Sequence, residues 1–88
     1  MSAAGATLDF EAFAAYLGDG LGLEPEVVVE EARLVEDLGL DSFDLVELLT
    51  LVEELGVRFP DDVAAGVDTV GDVYKEYVAR ATRFGPRS

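Results

Sequence analysis

The sequence has no cysteine and no histidine. Without cysteine it has no disulfide and no thiol of its own, so thioester chemistry on this chain would need a sulfur atom from a prosthetic group. Without histidine it lacks the base of a Ser-His-Asp triad and the commonest metal ligand. The G-x-S-x-G pattern of serine hydrolases also fails, because Leu40 and Asp44 occupy the two glycine positions around Ser42. We therefore expect no catalytic residue, no metal site and no enzymatic activity of the chain alone.

Long apolar runs are absent as well. Half of the 88 residues are apolar, which is too many for a disordered acidic tail, yet no run approaches the roughly 20 residues that span a bilayer. No repeat and no linker rich in Gly, Ser or Pro divides the sequence, so we predict one small domain over residues 7–83, with flexible ends at 1–6 and 84–88. Because no signal-like segment begins the sequence, we expect a soluble cytoplasmic protein.

Basic residues are scarce: six stand against 19 acidic residues, for a net charge of −13. The imbalance lies in residues 1–74, which contain 18 of the acids and only two arginines. Such a surface repels nucleic acid and anionic membranes, and it speeds encounters with basic protein patches. We therefore expect partners that are proteins with basic surfaces. The alternative is that the acids only keep a small protein soluble.

Hydrophobic periodicity predicts a first helix that Thr7 caps and that ends in the glycine-rich stretch 18–22. The residues that follow show no sustained helical period, so we predict a long loop with at most one helical turn after Glu24. Three apolar residues of this loop are expected to fix it to the core: Leu34, Val35 and Leu38.

The helical period returns at Ser42 and predicts a second helix that stops near Gly56. Pro60 then begins a one-turn helix through Ala65, and Thr69 caps the last helix. The apolar stripe of the second helix consists of Leu45, Leu48, Leu49, Val52 and Leu55. The aromatic residues expected in the core are Phe10, Phe13, Phe59, Tyr74 and Tyr77. The sequence thus predicts an all-α fold: a small four-helix bundle of three longer helices and one short one, with a long loop between the first two.

Ser42 lies at the start of the second helix. Asp41 is a good N-cap and Asp44 follows three residues later, so the backbone donors there do not need the serine hydroxyl. We therefore expect the hydroxyl to be exposed at the positive end of the helix. A phosphate ester would be stabilised at this position, although the flanking aspartates oppose it. The alternative is that Ser42 is an ordinary helix-start residue.

The second helix carries a different set of residues opposite its apolar stripe. At about 100° per residue, the residues aligned there are Phe43, Glu47, Thr50 and Glu54, with Asp44 and Glu53 toward the flanks. A phenylalanine that faces water among carboxylates suits an interface anchor. The alternative is a solvated helix face.

The segment Asp41-Ser42-Phe43-Asp44 closely resembles the Asp-Ser-Leu core of acyl carrier proteins, in which the serine carries a 4′-phosphopantetheine arm that ends in a thiol. Residues 23–27 followed by 34–39 resemble that family's first long loop, and residues 52–62 and 68–73 are similar to its later signatures, all in the family's order. The resemblance spans roughly residues 8 to 80, which is most of the chain.

This resemblance implies that a phosphopantetheinyl transferase transfers the arm from coenzyme A to Ser42, with Asp41 contributing to recognition. The arm would hold acyl groups as thioesters and present them to enzymes such as a ketosynthase or an acyltransferase. The sequence itself gives no warrant for oligomerisation, so we expect a monomer. The positions that would meet basic partner surfaces are Phe43, Asp44, Glu47, Thr50, Glu53 and Glu54, with Asp61 and Asp62 either extending this patch or serving the start of the short helix.

Three departures from the family pattern bear on partner choice. Phe43 stands where leucine is usual, Thr50 stands where methionine is common, and the stretch from Ser42 to Pro60 is about one residue shorter. These favour a stand-alone carrier of a specialised polyketide or fatty-acid-type pathway over the housekeeping carrier. The rival functions are a carrier of an aminoacyl or peptidyl cargo and an acidic interaction module without a prosthetic group. Calcium sensing is disfavoured, because no stretch has the spacing of an EF-hand loop.

Overall fold

The computed structural model describes residues 7–84, which form four α-helices. They are α1 (Phe10–Leu21), α2 (Ser42–Glu54), α3 (Asp61–Gly66) and α4 (Val70–Phe84), and a 3₁₀ turn at Pro25–Val27 lies in the loop between α1 and α2. Within residues 7–84, the one β feature is an isolated bridge between Arg33 and Thr69. The predicted all-α fold, with three longer helices and one short helix, is confirmed.

Two expectations concerned the ends of the chain and the absence of a membrane-spanning segment. The flexible ends predicted at 1–6 and 84–88 fall outside the described residues, except for Phe84, which is the last residue of α4. Among the helices that the structure describes, none is long and apolar enough to cross a membrane.

The N-cap of helix α1 lies two residues after the predicted cap, Thr7. The carboxylate of Asp9 accepts a hydrogen bond from the backbone N–H of Ala12 at 2.9 Å, so Asp9 is the N-cap and the prediction of Thr7 was wrong. A carboxylate three residues before a free N–H satisfies that donor, which is the geometry of an N-cap. The helix ends within the predicted glycine stretch, at Gly22, whose φ of 74° lies in the left-handed region that glycine adopts without strain.

The apolar stripe of α2 faces the core, as predicted. Leu48 and Val52 are buried, and the other three members of the stripe are half-buried. In α4, Thr69 and Asp72 bond each other's backbone N–H groups at 3.1 Å, which confirms the predicted cap. Helix α3 matches its predicted turn, but it extends one residue further and includes Gly66.

The long loop is bound to the start of α4 by backbone hydrogen bonds. Leu34 donates to Asp68, Val70 donates to Ala32 and Gly71 donates to Glu30, at 2.9 to 3.0 Å. Leu34 is buried and Leu38 half-buried, as expected, but Val35 is 56% exposed. Residues 34–38 form a tight turn, in which successive side chains point to different sides, so Val35 faces away from the core.

The centre of the core joins α1 to α4 through aromatic rings. Phe13 stacks on Tyr77 with centroids 4.9 Å apart, and Phe10 meets Tyr74 edge-on at 5.4 Å. Each such pair contributes about 0.5–1.5 kcal/mol beyond its area burial. Phe59 is also buried. These contacts confirm the aromatic core and leave one face of α2 to solvent.

Candidate attachment and partner-binding site

The first turn of α2 is closed by a reciprocal pair of aspartates. The N–H of Asp44 donates to Oδ1 of Asp41 at 2.9 Å, and the N–H of Asp41 donates to Oδ2 of Asp44 at 3.3 Å. Ser42 lies between them and is exposed. Among the side-chain hydrogen bonds of residues 7–81, none involves the Ser42 hydroxyl, so this oxygen is accessible and unengaged.

The surroundings of Ser42 suit a covalently attached phosphate. The first N–H groups of a helix have no intrahelical acceptor, and together with the helix dipole they stabilise a nearby anion. The adjacent carboxylates oppose this effect, but the capping contacts direct one oxygen of each toward the backbone. The residues present therefore fit a phosphodiester on Ser42 in access, and the free N–H groups of the helix start favour it against the two carboxylates.

The exposed face of α2 combines carboxylates with two apolar side chains. Phe43 is 72% exposed and Val46 is 61% exposed. The two are three residues apart and hence neighbours on the helix surface. The exposure of Phe43 was predicted from the sequence, whereas that of Val46 was not. The spacing from Phe43 was the available signal, but valine is common enough in a core that its position alone did not separate surface from interior.

Thr50 and Glu47 also belong to this face of α2. Thr50 is exposed, and its hydroxyl donates to the carbonyl of Val46 at 3.1 Å. Its proton is therefore used inside the helix. Glu47 is half-buried. Thr50 therefore offers a partner its surface but no free hydroxyl proton, whereas Glu47 offers a negative charge.

The carboxylates at the end of α2 have different neighbours. Oε2 of Glu53 lies 3.8 Å from Nε of Arg58, an ion pair between exposed side chains. Oε1 of Glu54 accepts from the hydroxyl of Tyr16 at 3.2 Å. Exposed ion pairs of the first kind contribute about 0–1 kcal/mol. The charge of Glu53 is therefore weakly balanced by Arg58, whereas the carboxylate of Glu54 is hydrogen-bonded by Tyr16 of α1.

Asp61 and Asp62 lie on a separate element. Both are exposed in the first turn of α3, which has no side-chain cap. Acidic residues in this position stabilise a helix start. The structure thus places five of the predicted acidic and capping positions on α2 and its cap, and these two on α3.

A cavity of about 250 Å³ lies beside the buried side of α2. Its walls come from the long loop, α2, α3 and the residues after α3: Leu34, Val35, Leu45, Leu48, Leu49, Ala64, Ala65, Val67 and Asp68. All but one of these residues are apolar. The cavity therefore offers an environment for an apolar group rather than for a charged one.

Comparison with known proteins places this geometry in context. The sequence matches the family model described as the phosphopantetheine attachment site over residues 11–76, which is most of the chain and includes Ser42. It is also similar to a solved structure described as that of an acyl carrier protein, Rv0033, from Mycobacterium tuberculosis. The two share 30% identity and a TM-score of 0.70, over 81% of this chain and 97% of that one. No curated protein sequence gave a significant match.

Proposed function

Since the chain belongs to the acyl carrier protein family, whose cofactor is a covalently attached 4′-phosphopantetheine, we propose that Ser42 is the residue that carries this arm. The observation that carries the proposal is the exposed, unengaged hydroxyl of Ser42 at the start of α2, inside the matched region. Carriers of this family interact with a phosphopantetheinyl transferase and with acyl-processing enzymes.

The chain is the substrate of the loading reaction. The Ser42 oxygen attacks the β-phosphorus of coenzyme A held by the transferase, and a new P–O bond forms. The bond to the adenosine bisphosphate leaving group breaks, and the serine proton passes to a base on the transferase. Asp41 and Asp44 contribute by fixing the first turn of α2, so that Ser42 is presented without a competing hydrogen bond.

Once attached, the arm supplies a thiol that holds an acyl group as a thioester. The task of the protein is then to bring that thioester to successive enzymes, which provide the catalytic groups. Tethering raises the effective concentration of the acyl group at each partner site. A chain without cysteine fits this division of labour, because its own side chains offer no competing thiol.

The partner surface consists of the exposed face of α2. The apolar pair Phe43 and Val46 is the anchor that a partner buries, and the carboxylates around it pair with basic side chains. The members of this surface are Asp41, Phe43, Asp44, Val46, Glu47, Thr50, Glu53 and Glu54, with Asp61 and Asp62 as an extension. The partners would be a ketosynthase, an acyltransferase or related enzymes with basic patches, met by a monomer.

The cargo is an apolar acyl group of a specialised polyketide or fatty-acid-type pathway. Supporting this choice, the cavity beside α2 has apolar walls apart from Asp68. A charged aminoacyl group would lose hydration against these walls, where the one carboxylate, that of Asp68, already pairs with Arg33 at 3.7 Å. The aminoacyl or peptidyl carrier is therefore the second candidate.

Intact-protein mass spectrometry tests the attachment. The purified chain is incubated with coenzyme A, Mg²⁺ and a broad-specificity phosphopantetheinyl transferase. We expect the parent to gain the mass of one phosphopantetheine and Ser42→Ala to gain none. Ser2→Ala and Ser88→Ala are matched controls, because these are the other two serines of the sequence, and both should load like the parent. An unmodified parent that is folded, beside a carrier that the same transferase loads, would instead support the acidic interaction module without a prosthetic group.

A further inference from the structure

Tyr16 connects α1 to the last turn of α2. It is half-buried, and its hydroxyl donates to the carbonyl oxygen of Leu51 at 2.7 Å. The same hydroxyl lies 3.2 Å from Oε1 of Glu54. A phenol has a single proton, so the two acceptors share it, with the shorter contact taking the larger part.

The carbonyl of Leu51 needs such a donor. In a continuing helix it would accept from the N–H of Leu55, but that N–H donates to Val52 at 3.0 Å and Gly56 donates to Glu53 at 2.9 Å. The final turn therefore tightens, and the Leu55 N–H bonds Val52 in place of Leu51. The Tyr16 hydroxyl donates to the Leu51 carbonyl at this point, in the last turn of α2.

The distance between the helices is set by a close contact one turn further along α1. Gly20 packs against Leu51 so closely that a Cβ atom on Gly20 would lie 2.6 Å from Leu51 Cδ1. The absence of a side chain at Gly20 lets the two helices approach. This approach brings the phenol of Tyr16 within reach of both acceptors.

The two neighbouring carboxylates at this end of α2, those of Glu53 and Glu54, therefore differ in their attraction for a further cation. Glu53 faces the cation of Arg58, which reduces its attraction for another cation. Glu54 accepts from a neutral phenol, which orients the carboxylate and leaves its charge in place. Burial, and then the charge of Glu54, raise the pKa of Tyr16 above its ordinary value. The phenol therefore stays protonated, and remains a donor, at neutral pH.

We propose that Tyr16 is a positioning residue for partner recognition: it orients Glu54, and Glu54 is the carboxylate at the end of α2 that receives a basic side chain of the transferase. This inference rests on the proposed function. Holding a flexible side chain in place before binding reduces the conformational entropy that binding costs. Tyr16 thus acts through Glu54 and does not itself touch the partner.

The test is a double-mutant cycle on the loading reaction. The variants are the parent, Tyr16→Phe, Glu54→Gln and the double variant, with kcat and KM measured for a broad-specificity phosphopantetheinyl transferase. We expect Tyr16→Phe and Glu54→Gln each to raise KM by about three- to tenfold with kcat unchanged. In the Glu54→Gln background, Tyr16→Phe should have no further effect on KM.

Two comparisons separate positioning from general destabilisation. Tyr74→Phe is the matched control, because Tyr74 also donates to a backbone carbonyl, that of Leu8 at 2.9 Å, away from α2. It should lower the melting temperature much as Tyr16→Phe does and leave KM at the parent value. In a Glu53→Gln background, the effect of Tyr16→Phe on KM should persist in full.

The proposal is overturned if Tyr16→Phe leaves KM unchanged, or if it raises KM by the same factor with and without Glu54. Should Tyr16→Phe fail to fold, Glu54→Asp supplies the test, because it keeps the charge but shortens the side chain away from Tyr16. A parent value of KM for Glu54→Asp would overturn the proposal, and a raised KM would support it. If the parent itself is never loaded, the proposed function fails and takes this inference with it. Loading of all variants with the parent KM overturns the positioning role alone.

Discussion

Asp41 and Asp44 each hold the other's backbone N–H group, at 2.9 and 3.3 Å, across the residue that the chain presents for modification. This reciprocal cap gives Asp41 two separable roles, one in helix stability and one in charge recognition. Asparagine caps a helix about as well as aspartate does but has no charge.

The cap predicts different outcomes for two substitutions of one residue. Asp41→Ala should lower the free energy of unfolding by about 1 kcal/mol, because it leaves the Asp44 N–H without its acceptor. Asp41→Asn should stay within about 0.5 kcal/mol of the parent but should load more slowly with the transferase. Urea denaturation and loading kinetics measure the two effects. Equal loss of stability in both variants would show that the charge, and not the cap, stabilises the helix.

The exposed apolar pair predicts a loss of binding without a loss of structure. Because Phe43 is 72% exposed, Phe43→Ala should leave the helical circular dichroism unchanged and the free energy of unfolding within about 0.5 kcal/mol of the parent. It should weaken binding to a partner enzyme by about 1–3 kcal/mol, the value of an apolar side chain that a partner buries. Titration calorimetry with a transferase or a ketosynthase measures this.

A second pair of variants refines that test. Val46→Ala should also weaken binding, whereas Val29→Ala should not, although both remove an exposed valine side chain. Val29 belongs to the loop after α1 and lies outside the proposed partner surface. Equal binding by Phe43→Ala, Val46→Ala and the parent would show that this apolar pair does not anchor a partner.

The cap of α4 predicts a pH dependence of stability. Hydrogen bonds from the backbone N–H of Asp68, and then of Thr69, lower the pKa of Asp72 below its ordinary value. A carboxyl whose pKa is lower in the folded state stabilises the fold above its unfolded pKa, and that stabilisation is lost as the pH falls through the folded pKa. Denaturation at a series of pH values should show Asp72→Asn less stable than the parent at neutral pH, with the difference shrinking in acid. A difference that is constant with pH would contradict this origin.

Salt should have opposite effects on folding and on recognition. With a net charge of −13, the folded chain repels itself, so added NaCl should raise its melting temperature. The same screening weakens attraction to basic partners, so the KM for loading should rise with NaCl. A KM that is insensitive to salt would argue that the carboxylates of α2 do not meet the transferase.

The sequence was informative where local chemistry decides the structure. The Asp41 cap, the Thr69 cap and the stripe of α2 depend on residues three or four positions apart, and all three predictions were confirmed. Thr7 was the wrong cap because Asp9 competes for the same role two residues later, and the sequence alone did not rank them. Which of these two residues caps α1 depends on how the helix packs against the rest of the protein.

Contacts between residues distant in the sequence leave no local pattern from which they could be predicted. The hydrogen bond from Tyr16 to Leu51 joins residues 35 positions apart, and it exists because Gly20 lets two helices approach closely. The exposure of Val46 and Val35 likewise depends on which face each segment turns to the core. The location of the candidate site was therefore predictable, whereas the side chains that position it were not.

The most direct test of the central claim is fragment mass spectrometry of the loaded chain after proteolysis. The account predicts that the phosphopantetheine mass lies on the peptide that contains Ser42, and that fragmentation of this peptide assigns it to Ser42 and releases the pantetheine part. A modification on any other residue of a loaded, folded chain would contradict Ser42 as the attachment site.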